Sequence, residues 1–388
     1  MIPTRRALPS SLSRTALFLA LSSAAALSSA CGDDSSGDSE ATGASSEGSS
    51  EGSGEASSSG SSGETSGDPT GDPTTTTGDP TTTTGDPTGS TTGDPTGDTT
   101  GSTTGDPTGD PTGDTSGDTS GDTMGVEEPV PSELPVPTAP CPSFVSGDVM
   151  FSPKGIAPRK VRLWIDPKAS EAEGPVVFYW HGTGSAPTEA LTGLGQAGID
   201  AVTAAGGIVA APHADPAAAP SPWWLVLTEK EDDLLLADEV LACAIQEVGI
   251  DVRRIHSMGL SAGGLHTSQM SVRRSSYVAS VVPYSGGLLD GLMPPWDAPA
   301  NKVAAMIFHG GPSDVVVVSF PKTSANYLDY LQKQGSFGFV CNHNMGHVIP
   351  VAAVPAARQF LADHPFGEQP PPYAGGLPPS MPSYCALP

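Results

Sequence analysis

The stretch Arg254-Ile255-His256-Ser257-Met258-Gly259-Leu260-Ser261-Ala262-Gly263-Gly264-Leu265-His266 reads as a short apolar strand running straight into a helix. Gly-x-Ser-x-Gly stands at the junction. A strand-to-helix turn this tight excludes bulky side chains on both flanks, and it holds its central residue in a strained, exposed conformation. Ser261 is therefore placed as a nucleophile. Five residues match by chance in many chains, so the rest of the sequence has to supply the context.

Working outward, strands and helices alternate. Lys160–Ile165 alternates with period two, as a half-buried edge strand does. Val176-Val177-Phe178-Tyr179-Trp180 is a continuous apolar run, expected of a strand covered on both faces. A helix is expected from about 188 to 205, then a buried strand over 208–211 and a helix from Asp232 to Val248 with acidic residues in its first turn. After the serine come strands near 279–283 and 303–308, a helix over 322–334, a strand over 337–341 and a closing helix over 349–362. This pattern predicts an α/β domain with a mostly parallel sheet and helices on both faces. The Pro-rich tail from 365 to 388 is expected to wrap the surface.

A serine hydroxyl is a weak nucleophile at neutral pH and needs a base, an orienting carboxylate and donors for the oxyanion. His347, after Gly346 and between the last strand and the closing helix, is the expected base. His343 competes from the same loop, and His266 is expected to point away from the hydroxyl along its own helix. Asp314, reached from strand 303–308 through His309-Gly310-Gly311-Pro312-Ser313, is the expected carboxylate. Asp329 falls mid-helix, and Asp290 and Asp297 fall in a loop. His181-Gly182-Thr183-Gly184 follows strand 176–180, so the N–H groups of Thr183 and Ala262 are the expected oxyanion donors, with His181 as a buttress. Trp223 and Trp224, in a Pro-rich loop, offer an aromatic wall for substrate or a piece of core; Trp296 is a second such candidate.

The chain order of oxyanion loop, Ser, Asp and His is that of the α/β-hydrolase fold. More narrowly, residues 160 to 360 resemble the secreted polyhydroxybutyrate depolymerase/feruloyl esterase-like group. The likeness rests on His181-Gly182, Ile250-Asp251-Val252-Arg253-Arg254-Ile255, Gly259–Gly264, His309-Gly310 with Asp314, and Gly346-His347. It implies a serine carboxylic-ester hydrolase acting on an exported polymer or its fragments, without cofactor or metal. Two positions depart from the group's pattern: Thr183 stands where Cys is frequent, and Val348-Ile349-Pro350 lacks an aromatic. Two other readings share the fold, a prolyl-oligopeptidase-like peptidase and a non-catalytic polymer-binding module. The first normally needs a propeller domain, for which this chain has no room.

The remaining sequence speaks of location. Arg5, Arg6 and Arg14, an apolar core from Ala16 to Leu27, and small residues before Cys31 read as a signal peptide over 1–30. The ending resembles a bacterial lipobox, with Leu27 one place further upstream than usual. It implies lipidation of Cys31 and a membrane tether. Residues 31–138 are a Gly/Ser/Thr/Asp/Pro-rich stalk with drifting Thr-Gly-Asp-Pro repeats, such as Thr70–Pro73 and Thr84–Pro87, and no aromatic before Phe144. Such composition is expected to stay disordered, with an rms reach of about 50–60 Å over some 100 residues. Of the formal charge of −26, the stretch 33–128 contributes 21 acidic and no basic residues, leaving the chain beyond it near −8, an ordinary value for the hydrolase domain over 139–388. No basic face for nucleic acid is present. Cys141, Cys243, Cys341 and Cys385 are expected to form two disulfides, with Cys141–Cys385 as the first pairing to test because the two lie near the ends of the domain.

Overall fold

The computed structural model describes residues 128–388 apart from Val226 and Leu227; the signal peptide, Cys31 and nearly all of the stalk lie outside the described residues. Among the described residues, eleven strands run in chain order: β1 Gly147–Phe151, β2 Arg159–Ile165, β3 Val176–Trp180, β4 Ile208–Pro212, β5 Ile255–Leu260, β6 Ser280–Tyr284, β7 Ala304–His309, β8 Val315–Val316, β9 Val318–Ser319, β10 Gly338–Asn342 and β11 Cys385–Ala386. The helices are α1 Gln196–Ala204, α2 Asp232–Glu247, α3 Ala262–Arg273, α4 Phe320–Lys333 and α5 Val354–Asp363. Nine strands form one sheet in the order β1-β2-β4-β3-β5-β6-β7-β10-β11, while β8 and β9 make a separate hairpin. From β4 to β10 the neighbours are parallel; β1, β2 and β11 join antiparallel at the edges.

Strand β3 shows why these apolar runs take this place. Val176, Phe178 and Trp180 face the core layer that includes Leu234, Val240, Met270 and Tyr327 from α2, α3 and α4. Val177 and Tyr179 face the opposite layer, with Ile199 of α1 and Val354 and Phe360 of α5. A strand buried on both sides has no polar face to show. The sequence expectation of a parallel sheet between two helical layers therefore holds, with boundaries shifted by a few residues.

Three expectations change. The helix expected over 188–205 breaks into a short turn at Pro187–Glu189, a wide turn at Leu191–Gly195, and only then α1. Gly193 packs so closely on the buried Tyr179 that a Cβ there would sit 2.3 Å from its hydroxyl, and its carbonyl accepts from Tyr284 Oη at 3.0 Å. The widened turn accommodates both tyrosines. The disulfides are Cys141–Cys243 and Cys341–Cys385, not Cys141–Cys385. The tail lays Cys385 opposite Cys341 in the β10–β11 register, while Cys141 lies against α2. Finally, the chain engages the body before 139: Glu128 ion-pairs with Arg253, and Leu134 packs on the core.

Candidate active site

The parallel registers align the carboxyl ends of the central strands. Trp180 pairs with Gly259, Leu260 with Tyr284, Tyr284 with Phe308, and Phe308 with Cys341. Everything that leaves β3, β5, β6, β7 and β10 at this edge therefore emerges side by side. In open α/β sheets that edge is where ligands bind.

Ser261 follows β5 and precedes α3 with φ 59° and ψ −118°, a positive-φ conformation costly for a residue with a Cβ. Its N–H donates to Tyr284 O at 2.9 Å, and its carbonyl accepts from Leu265 N–H at 2.8 Å. The flanking glycines are required by proximity: a Cβ on Gly263 would lie 1.8 Å from Trp180 O, and one on Gly259 2.3 Å from the same atom. The hydroxyl is held partly exposed above a junction that no larger residues can form.

Asp314 and His347 meet in a direct hydrogen bond, Nδ1 to Oδ1 at 2.7 Å. Asp314 is fully buried, and its Oδ2 accepts from Gly310 N–H and Ser285 Oγ, each at 2.8 Å. Burial alone would raise its pKa; the bonds from His347, Gly310 and Ser285 outweigh that and hold the carboxyl below its ordinary value. The imidazole of His347 also stacks on Phe320, ring centroids 4.8 Å apart. This fixes the ring plane and leaves Nε2 on the side away from Asp314. The loops carrying the pair interlock, because Gly310 backs onto the Gly346 backbone with no room for a Cβ.

The Gly182 loop lies beside the serine. A Cβ built on Gly182 would be 3.5 Å from Ser261 Cβ. Thr183 follows it, half-buried, and Ala262 is the first residue of α3, where helix-start N–H groups lack intrahelical acceptors. The structure thus brings Asp314 and His347 into contact and Gly182 against Ser261. It records no hydrogen bond between Ser261 Oγ and His347, a looseness common in resting enzymes.

Other candidates are placed elsewhere. His266 is fully buried, packed against Trp180 at 4.2 Å between ring centroids, and burial lowers its pKa to about 3. His343 is buried and accepts Met345 N–H at 3.3 Å, shaping the loop before His347. Asp329 pairs with Lys333 on the exposed side of α4, and Asp290 pairs with Lys322. Trp296 bonds Ala298 O of its own loop. No group of three or more His, Cys, Asp or Glu side chains among the described residues is arranged to hold a metal ion.

The paired tryptophans divide. Trp223 is only 1 % exposed, so it forms no wall against solvent. Its indole N–H donates to His181 O at 2.8 Å, and its ring meets Trp180 edge-to-face at 5.0 Å. It braces the His181–Gly182 loop from behind, and burial lowers the pKa of His181. Trp223→Ala is expected to cost about 3–5 kcal/mol of stability, read as a lower denaturant midpoint at unchanged slope; an unmoved midpoint rules out this bracing role. Trp224 is half-buried, with its indole N–H on Asp215 at 2.9 Å and Lys230 Nζ over its ring at 4.3 Å.

Two site residues escaped the sequence reading. Ser285, at φ 44° just past β6, supports Asp314; Pro283-Tyr284-Ser285-Gly286-Gly287 at a strand end was its signal. Glu189 accepts Gly182 N–H at 3.1 Å, and a lone acid in a Gly/Ser/Pro loop was the clue there.

No protein-family model and no curated relative matches the sequence. Solved structures do match in shape. Native pOPH superimposes with a TM-score of 0.53 at 19 % identity, covering 64 % of this chain and 97 % of that one. Native sOPH gives 0.52 at 18 % identity, over 66 % of this chain and 97 % of that one. With the sheet order, the turn from β5 into α3 at Ser261 and this agreement in shape, the chain has the α/β-hydrolase fold.

Proposed function

We propose that the chain is an exported serine hydrolase that cleaves carboxylic esters through an acyl-enzyme. The observation that carries this reading is the buried Asp314 bonded to His347 at the edge where strained Ser261 meets the Gly182 loop. In this mechanism His347 Nε2 takes the Ser261 proton as Oγ attacks the ester carbonyl. Thr183 and Ala262 N–H groups receive the oxyanion, and Asp314 stabilises the imidazolium. The imidazolium then protonates the departing alcohol, and a water activated by the same base releases the acid.

The surroundings favour apolar or polymeric esters. Val315 and Val316, immediately after Asp314, are exposed, as are Met345 and Val348 on either side of His347 and Val351 beyond it. Apolar side chains on the two loops that bear the triad suit a polyester or an aryl ester of plant polysaccharide better than a small polar one. Two disulfides suit an oxidising compartment. Lipidated Cys31 and the acidic stalk would then hold the domain away from a membrane.

A fluorophosphonate probe offered to the intact chain tests the reading. Stoichiometric labelling at Ser261, together with turnover of short p-nitrophenyl esters, is expected. A protein that binds polymer yet takes no label would be a binding module on a hydrolase frame, and the proposal would fall.

A further inference from the structure

We propose that Glu189 is a second positioning carboxylate of this site, clamping the oxyanion loop against Ser261 and adding negative charge opposite the imidazolium that forms on His347. The inference rests on the reading above and extends it to a residue outside the triad. A single turn, Pro187–Glu189, folds the chain back so that the carboxylate returns to the loop it has just left. Oε1 accepts both Tyr179 Oη and Gly182 N–H at 3.1 Å, and Oε2 lies 3.3 Å from the same N–H. Ser185, whose N–H donates to Gly182 O at 3.1 Å, lies near this carboxylate.

Gly182 stands between the two groups. The point where its Cβ would fall is 3.5 Å from Glu189 Oε2 and 3.5 Å from Ser261 Cβ. By accepting Gly182 N–H, Glu189 fixes the His181–Gly182 peptide, one residue before the Thr183 N–H that would face the nucleophile. Tyr179, fully buried on β3, anchors the other side of the carboxylate. The clamp is thus tied to the sheet and not to a surface loop.

The charge has a second consequence. Asp314, from the β7–α4 loop, bonds His347 directly, Glu189, from the β3–α1 segment, acts on it through space, and His309 and His343 lie near Asp314. Glu189 in turn faces Tyr179, Ser185 and His347. Burial raises its pKa, while Ser185, Gly182 N–H, Tyr179 and the charge of His347 oppose that rise. An imidazolium formed on His347 during attack would be bonded to Asp314 and would feel the charge of Glu189 through space.

Glu189→Gln and Glu189→Ala separate the two roles. Glutamine retains an acceptor for Gly182 N–H but carries no charge. It is expected to lower kcat about tenfold and to move the acid limb of kcat/KM to lower pH by about half a unit, since the imidazolium loses an anion. Alanine removes the clamp as well and is expected to lower kcat about 100-fold, with KM changed far less. Parent-like kcat and an unmoved acid limb in both variants would overturn the proposal. So would a loss of rate with an unmoved limb and a lowered melting temperature, which marks a purely structural role. Labelling and turnover of the parent protein are measured alongside. Failure there would overturn the serine-hydrolase reading and this inference with it, whereas an active parent with parent-like variants overturns this inference alone.

Discussion

Ser261→Ala is expected to remove about 10⁵–10⁶-fold of kcat toward p-nitrophenyl esters, the loss expected when the nucleophile of a complete triad is deleted. The size follows from how little else at the site can attack a carbonyl. His347 is tied to Asp314 and stacked on Phe320, which suits it to proton transfer and not to acyl transfer. Whatever residual rate survives would come from the oxyanion donors acting on bound water. The same substitution should leave the melting temperature nearly unchanged, because alanine keeps the Cβ that φ 59° already penalises. Ser261→Gly extends the test: it releases the positive-φ strain, worth roughly 1–3 kcal/mol, so it should melt higher while remaining equally inactive. An alanine variant retaining more than a hundredth of parental turnover would show that Ser261 is not the nucleophile.

That pair of outcomes would also explain why the elbow was readable from sequence. Gly259 and Gly263 are dictated by a steric fact, the approach of the Trp180 carbonyl to within 2.3 and 1.8 Å of where their Cβ atoms would be. Constraints of that kind leave an imprint in residue type. The same holds for β3, whose unbroken apolar run reflects two covered faces, and for Asp314 and His347, each set past a strand end behind glycines that let two loops interlock.

What did not show in the sequence depends on partners distant along the chain. A tryptophan in a Pro-rich loop looks the same whether it faces solvent or His181; only the fold decides that Trp223 turns inward while Trp224 is half-covered. Glu189, a lone acid in a Gly/Ser/Pro loop, gave only a faint clue for a similar reason. Its value lies in a hydrogen bond seven residues back that no periodicity announces. The wide turn at Leu191–Gly195 interrupts a segment whose composition allows a helix, and it does so because Tyr179 and Tyr284 need the space.

The disulfides give the second large effect. Cys141–Cys243 closes a separation of 102 residues and Cys341–Cys385 one of 44. In the chain-entropy account, removing the first should cost about 4.7 kcal/mol and the second about 4 kcal/mol. Cys141 also has allies. Glu239, one turn before Cys243 on α2, accepts from Thr138 N–H, Thr138 Oγ1 and Ala139 N–H at 2.6–2.9 Å. Those bonds hold the entering chain near α2 in the folded state, but they do nothing to restrict the unfolded one. Cys141→Ser/Cys243→Ser should therefore fold, yet melt about 10–20 °C lower, with Ser261 still labelled below the transition. Cys341→Ser/Cys385→Ser frees β11 from β10, the strand whose following loop carries His347. Its loss should lower esterase turnover well below the melting transition, whereas the first pair's loss should not. Equal retention of activity in both variants would separate the β11 clasp from the catalytic edge. Had the bridge joined Cys141 to Cys385, removing either cysteine would give one and the same phenotype; two distinguishable phenotypes are the signature of the pairing seen here.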